Sequence, residues 1–254
     1  MLPLGLAIWA MLSPKVVVSN DMTWDFVYNL AGAWHLWNGQ TAHIDFRDPL
    51  GSLSFVPTTL GFELVGPAPA AFLVGACLVS IVAFVSATLA ALRRLPLAPA
   101  ALFVVFVSLL ALRPANVGES LTAYTFAMSY NRYGWCLLAV LTLILFVPPR
   151  DNRRLDLLDT AIAGLLLVAL FYLKITYFAA GLALAVLAAI ASPHLRGRPA
   201  VPIVMVVLIV LNTVAPWNHA YLVDIFEAVE AGAVRSKLTF HVNNFFTNGE
   251  ASAA

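Results

Sequence analysis

Charge is what this chain has least of. Asp, Glu, Lys and Arg together make up 11% of its 254 residues, where a soluble domain carries about 25%. The two signs nearly cancel, 14 Lys and Arg against 13 Asp and Glu, which excludes a globally basic nucleic-acid binder. Cysteine is almost as scarce. Cys77 and Cys136 are the only two, and each sits inside an apolar run, where a thiol behaves as a small hydrophobe. No disulfide framework and no Cys/His metal spacing can be drawn from them. There is no internal repeat, no low-complexity tract and no segment with the composition of a soluble domain. The first residues lack a basic n-region and a small-residue cleavage site, so they read as a retained first helix and not as a cleaved signal peptide.

What is there in excess is apolar surface. Apolar residues make up 61% of the chain and the mean hydropathy is +0.89. A water-soluble fold of this size has no interior large enough to hide that much, so most of the chain must be solvated by lipid. The expectation is an all-α membrane protein, a single transmembrane domain over 1–254. It would be a bundle of about seven transmembrane helices with amphipathic interfacial helices in its outer loops. Runs long enough to be spans fall at 2–18, 67–92, 97–112, 135–148, 157–173, 176–191 and 201–217. The first is short and interrupted by Pro14 and Lys15. The run from 157 to 191 is too long for one crossing, and Lys174 lies at its middle. One continuous helix would leave that ammonium at mid-bilayer, at about 2.5–3.5 kcal/mol on insertion scales, so the run divides there into a hairpin.

The division also settles orientation. Arg93 and Arg94, then Arg150, Arg153 and Arg154, then Arg196 and Arg198 occupy short loops that the hairpin puts on one side. Lys/Arg bias makes that side cytoplasmic. The other side holds the segments 19–66, 113–134 and 218–254. Trp24, Trp34, Trp37, Tyr130, Tyr133, Trp135 and Tyr221 decorate them, as aromatic belts do at a membrane surface. Ala/Leu-rich helices suit a bacterial inner membrane, with these segments facing the periplasm.

The first outer segment carries most of the chemistry. From Asp25 to Asn38, Phe26, Leu30, Trp34 and Trp37 recur at helical spacing with Asp25, Tyr28, Asn29 and His35 on another face. This is an interfacial helix, and Gly39 is a natural stop for it. The polar stretch Gln40–Gly51 follows. Asp21, Asp25, Asp45 and Asp48, with His35, His43 and Arg47, therefore share one juxtamembrane loop, the composition of an acid/base or metal site. Each has a plainer use. Asp21 and Asp25 are first-turn acids favoured by the helix dipole. Asp48 precedes Pro49, a common turn pattern. His35 is a ready structural hydrogen-bonder. Asp45 has no such alternative.

The second outer segment offers Tyr130-Asn131-Arg132-Tyr133. An Arg between tyrosines can grip a lipid phosphate while the rings pack on an apolar chain, or it can simply snorkel within an aromatic belt. Lys174 at the hairpin turn is either a second cation or a polar turn residue. In the third segment, Leu222, Phe226, Val229 and Ala233 make the apolar side of a helix. Its acids Asp224, Glu227 and Glu230 read as solvated.

Asp25 on an amphipathic helix, then Gly39-Gln40, then His43-Ile44-Asp45-Phe46 leading to Pro49 and Gly51, resembles the GT-C superfamily of membrane glycosyltransferases. The likeness covers about 19–66 and, more loosely, the helical layout. It departs where the family often has Asp-Glu and this chain has Asp25-Phe26, and where a Pro-Pro pair is reduced to Pro49-Leu50-Gly51. Members of that family usually run longer, so the resemblance implies an N-terminal portion.

It also implies an activity. A sugar would move from a polyprenyl phosphate to a hydroxyl of a lipid, glycan or protein, with inversion at the anomeric carbon. Asp25 or Asp45 would be the general base, and Arg132 with Lys174 would stabilise the leaving phosphate. His43, Asp48, Tyr130 and Tyr133 would support them. The carboxylates would suit Mg²⁺ or Mn²⁺, although nothing in the sequence requires a metal. The rivals are a polytopic transporter or lipid flippase and a non-catalytic membrane subunit. The near absence of charge within the spans and of any repeat weighs against transport.

Overall fold

The computed structural model describes residues 2–14, 16–19, 22–115, 125–150, 156–191, 207, 210, 211 and 217–230. Asp21, Glu119, Arg153, Arg154, Arg196, Arg198 and almost all of the run 201–217 lie outside them. The described residues are helical, with a single isolated bridge between Ala42 and Phe46. In chain order the helices are α1 (Leu2–Leu12), α2 (Thr23–Trp37), a 3₁₀ turn (Ser52–Ser54), α3 (Val56–Val65), α4 (Ala70–Leu92), α5 (Leu97–Leu112), α6 (Ser129–Phe146), α7 (Asp156–Leu173), α8 (Ile175–Ala191) and α9 (Trp217–Glu230).

The core follows from small residues. Ala83, Ala87, Ala90 and Ala91 of α4 are fully buried beside Ala100, Val104, Val107 and Ala111 of α5. Small side chains allow close helix approach, which is how apolar helices associate without a solvent-driven force between them. Polar bridges add to it: Ser80 Oγ–H donates to Ser108 O at 2.7 Å, and Cys136 Sγ–H of α6 to Val107 O at 3.2 Å.

Among the described residues α4, with 23 residues, is the helix long and apolar enough to cross a membrane. Leu2–Leu12, Leu97–Leu112, Asp159–Leu173 and Ile175–Ala191 are apolar but shorter. Large apolar side chains point outward from several helices, among them Val82, Leu102, Phe106, Leu165 and Ile190.

The long run does break at Lys174. α7 ends at Leu173 and α8 begins at Ile175. The two fold back on one another: Phe171 and Phe178 have ring centroids 5.3 Å apart, and Gly181 lies against Leu167 and Leu170. At the opposite end, Arg93 and Arg94 after α4 meet Asp159 near the start of α7. Arg94 Nε–H reaches Val147 O at the end of α6, and Arg150 N–H reaches Arg93 O. The first two Arg-bearing loops therefore share one end of the bundle, and Lys174 and the 38–51 loop occupy the other.

The helix bounds differ from the sequence reading in three places. α1 stops at Leu12, well short of 18, because Ser13 and Pro14 end it. α6 starts at Ser129, so Tyr130, Arg132 and Tyr133 lie on a helix and not in a loop; Met128, in the left-handed region at φ 51°, sets that start. α3 was not expected at all. Its signals are short-range, with Pro57 in its first turn and Gly66 just past its end.

Candidate active site at one end of the bundle

The 38–51 loop is built by local rules. Gly39, at φ 79°, stops α2, and Gln40 N–H then bonds His35 O at 3.0 Å. Next, Thr41–Phe46 forms a closed turn. Asp45 N–H bonds Thr41 O at 2.9 Å, Thr41 N–H donates to Asp45 Oδ2 at 2.6 Å, and His43 N–H donates to Phe46 O at 2.8 Å. Asp45 is exposed and its carboxylate is used within this turn. That is a difference from the sequence reading, which took Asp45 as a candidate base. Of the two acids of this loop, Asp45 points outward and Asp48 inward.

Asp48 is 4% exposed. Its Oδ1 accepts Leu50 N–H at 2.7 Å, the turn use that Asp-Pro suggests, and its Oδ2 accepts the Tyr28 hydroxyl. Burial pushes the Asp48 carboxyl above its ordinary value, against the lowering effect of these two donors. Burial also raises the Tyr28 phenol, with further contributions from Asp48, Tyr130 and Asp25.

Asp25 lies in the first turn of α2, half-buried, and its Oδ2 accepts Met128 N–H at the start of α6. On α6, Tyr130 faces Lys174, whose Nζ lies 4.8 Å from the ring centroid, a cation–π distance. Asn131 Oδ1 accepts the Tyr177 hydroxyl of α8 at 3.1 Å. Arg132 has a different place. It is 2% exposed, and its guanidinium donates to Ala127 O at 3.1 Å and Phe126 O at 3.4 Å. It braces the segment that presents Met128 to Asp25.

The Lys174 break leaves backbone groups that a continuous helix would have used. Leu173 O accepts Gly51 N–H at 3.2 Å and the Ser54 hydroxyl at 2.9 Å, while Ile175 N–H donates to Tyr221 Oη at 3.0 Å. Gly51 is required for this fit: a Cβ there would stand 2.0 Å from Tyr172 O. Asn29 then ties α2 to the same region, donating to Ser54 O at 2.9 Å and accepting the Thr58 hydroxyl at 2.7 Å.

α9 closes the far side with its polar face. Asn218, Tyr221 and Asp224 are buried, and Leu222, Phe226 and Val229 are exposed. This reverses the sequence reading of Asp224 as solvated. Asp224 Oδ2 accepts His43 Nδ1–H at 2.9 Å and Asp48 N–H at 3.2 Å, and the His43 ring packs 4.6 Å from the Tyr221 ring. Arg47 pairs with Glu227 in solvent. His35 bonds Gln40 and stacks 4.8 Å from Phe46, a structural use. α2 also turns differently than its pattern suggests, burying Phe26, Asn29, Gly32 and Ala33 and exposing Trp34.

Of the expected residues, Asp25 reaches the start of α6, Tyr130 of α6 reaches Lys174, and His43 and Asp48 meet at Asp224; Asp45 bonds within its own turn, and Arg132 bonds the Phe126 and Ala127 carbonyls. Tyr133 lines an apolar groove of about 310 Å³ between α3, α4, α6 and α7, with Leu53, Val79, Cys136, Ala169 and Leu173. Leu173, in the wall of the groove, directly precedes Lys174 in the chain. Tyr28, on the same helix face as Asp25, meets Asp48, while Tyr221 and Asp224 reach the loop from across the chain, a distance no local pattern encodes. Among the described residues no group of three or more His, Cys, Asp or Glu is placed to hold a metal ion. Comparison with protein-family models, with curated proteins and with solved structures returns no match for this chain.

Proposed function

We propose that this chain is an inverting glycosyltransferase of GT-C type. It would use a polyprenyl-phosphate-linked sugar at the outer face of a bacterial inner membrane, in which it forms a bundle of seven spans. The observation that carries the reading is the meeting of Asp25, Asp48, Tyr28, Tyr130 and Lys174 at one end of the bundle, beside an apolar groove.

Membrane embedding is supported by the outward apolar side chains of α4, α5, α7 and α8, since soluble monomers rarely expose large apolar areas. At 1.5 Å per residue, the 23 residues of α4 extend about 34 Å, enough for a core of about 30 Å. The 16 residues of α5 extend about 24 Å, a shortfall that local thinning of the bilayer accommodates. The Arg93–Arg94 end faces the cytoplasm by the Lys/Arg rule, which leaves the acidic end outside.

In the reaction, Asp25 at the half-open mouth takes the proton from the acceptor hydroxyl. The acceptor oxygen bonds to the anomeric carbon as its bond to the phosphate oxygen breaks, and that electron pair leaves with the polyprenyl phosphate. Attack from the opposite face inverts the centre. Lys174 stabilises the phosphate charge, taking the role that Arg132, bonded to backbone carbonyls, does not. The Tyr28–Asp48 pair forms one side of the site, and the groove holds the first isoprenoid units. The position of the polar groups at one end of the bundle, away from its middle, favours this reading over a transport path.

Purified protein given polyprenyl-phosphate-sugars and a panel of hydroxyl acceptors should release polyprenyl phosphate and yield a product of inverted configuration. A product that retains configuration, or no release from any donor, would rule the proposal out.

A further inference from the structure

α9 turns its polar side inward. Leu222, Phe226 and Val229 offer it an apolar face to bury, yet it buries Asn218, Tyr221 and Asp224 instead. A buried carboxylate loses hydration that only specific donors can replace. The donors here both belong to the 42–50 loop. Asp224 Oδ2 takes His43 Nδ1–H on one side of the Phe46–Arg47 apex and the backbone N–H of Asp48 on the other. His43 itself holds a left-handed backbone, at φ 70°, a conformation that a side-chain-bearing residue keeps only under outside restraint. Tyr221 packs on the His43 ring and anchors the same helix to Ile175 N–H, beside Lys174. One helix, distant in sequence, thus fixes both the loop carrying Asp48 and the turn carrying Lys174.

We infer that Asp224 is a positioning residue, whose Oδ2 sets the 42–50 loop so that the Asp48 carboxylate meets Tyr28 at one side of the site. The inference goes beyond the transferase reading and rests on it for its activity test alone. Asp224 touches no reacting atom; it acts through His43 and the Asp48 backbone. An acceptor oxygen is what the position demands, since both of its partners are donors. The Asp224→Asn variant keeps such an oxygen and Asp224→Ala does not.

The test compares these two variants in the full chain. Donor turnover is measured as kcat and KM separately, and the ring-nitrogen NMR signals of histidine-labelled protein are followed, with His43→Gln assigning His43. Asp224→Ala should cut kcat about ten- to a hundredfold, the size of loss that follows a small displacement of the groups that position a substrate, with donor KM within about twofold. Asp224→Asn should recover most of kcat. The His43 Nδ1 signal should move in the Ala variant and stay closer to its place in the Asn variant. Unchanged kcat in Asp224→Ala, or an unmoved His43 signal, would overturn the inference. Absence of turnover in the wild type, with the His43 signal moving as expected, would uphold the loop placement and overturn the transferase reading.

Discussion

Replacing Gly51 by Ala is the sharpest test of how the site is held. The added Cβ would stand 2.0 Å from Tyr172 O, 2.3 Å from its carbonyl carbon and 2.9 Å from its Cα. These are backbone atoms, so no side-chain rotation relieves the clash, and the 49–52 backbone must retreat from α7 by more than 1 Å to reach van der Waals separation of about 3.5 Å. Retreat breaks the Gly51 N–H bond to Leu173 O and strains the Ser54 bond to the same carbonyl. Each such bond contributes about 1 kcal/mol, and a buried group left unpaired costs about 1–3 kcal/mol. The expected loss is about 2–4 kcal/mol. Unfolding of detergent-solubilised protein, followed by near-UV circular dichroism against denaturant, measures it. Gly39→Ala is the control: it has open space but a φ of 79°, so about 1 kcal/mol is expected. A Gly51→Ala variant within 0.5 kcal/mol of wild type (the ordinary range for surface changes, about ±0.5) would refute the packing of this loop on the α7–α8 turn.

Other outcomes follow from the same geometry. Asp159→Asn leaves the buried Arg94 and the half-buried Arg93 without their counter-charge and should cost about 3–5 kcal/mol, seen in the same unfolding experiment. Asp45→Ala should leave turnover within about twofold of wild type, because the carboxylate serves only its own turn; a loss of the size expected for a general base, about 10²–10⁴, would reinstate Asp45 as a catalytic candidate. Asp48 has a folded pKa above its ordinary 3.8, so its contribution to stability is fully present below 3.8 and is lost as pH rises through the folded value. Asp48→Asn should remove that part of the slope of stability against pH above 3.8, and an unchanged slope would contradict the burial.

Much of the helical layout is legible in the sequence because it depends on composition. The starts and ends of α4 and α5 follow from Pro69, Pro96 and the Arg93–Arg94 pair. The break at Lys174 follows from what an ammonium costs in an apolar run. Face assignments fared worse. Amphipathic patterns are read on the assumption that water lies outside, and α9 turns its polar face inward to bond a loop. Asp224 and His43 are 181 residues apart, and no periodicity can pair them. The choice between Asp45 and Asp48 is likewise hidden, since it depends on which way a tight turn closes. Arg132 is a third case: flanked by tyrosines it suggests a ligand grip, and the structure buries its guanidinium with bonds to the Ala127 and Phe126 carbonyls.

The central claim is that Asp25 and Lys174 act on one substrate. It is tested most directly by measuring polyprenyl-phosphate release from a polyprenyl-phosphate-sugar by the wild type, by Asp25→Asn and by Lys174→Gln, all shown to be folded. Both variants should lose about 10²–10⁴ of kcat, with the apolar groove still holding the donor. Turnover in Asp25→Asn equal to that of the wild type would contradict the account.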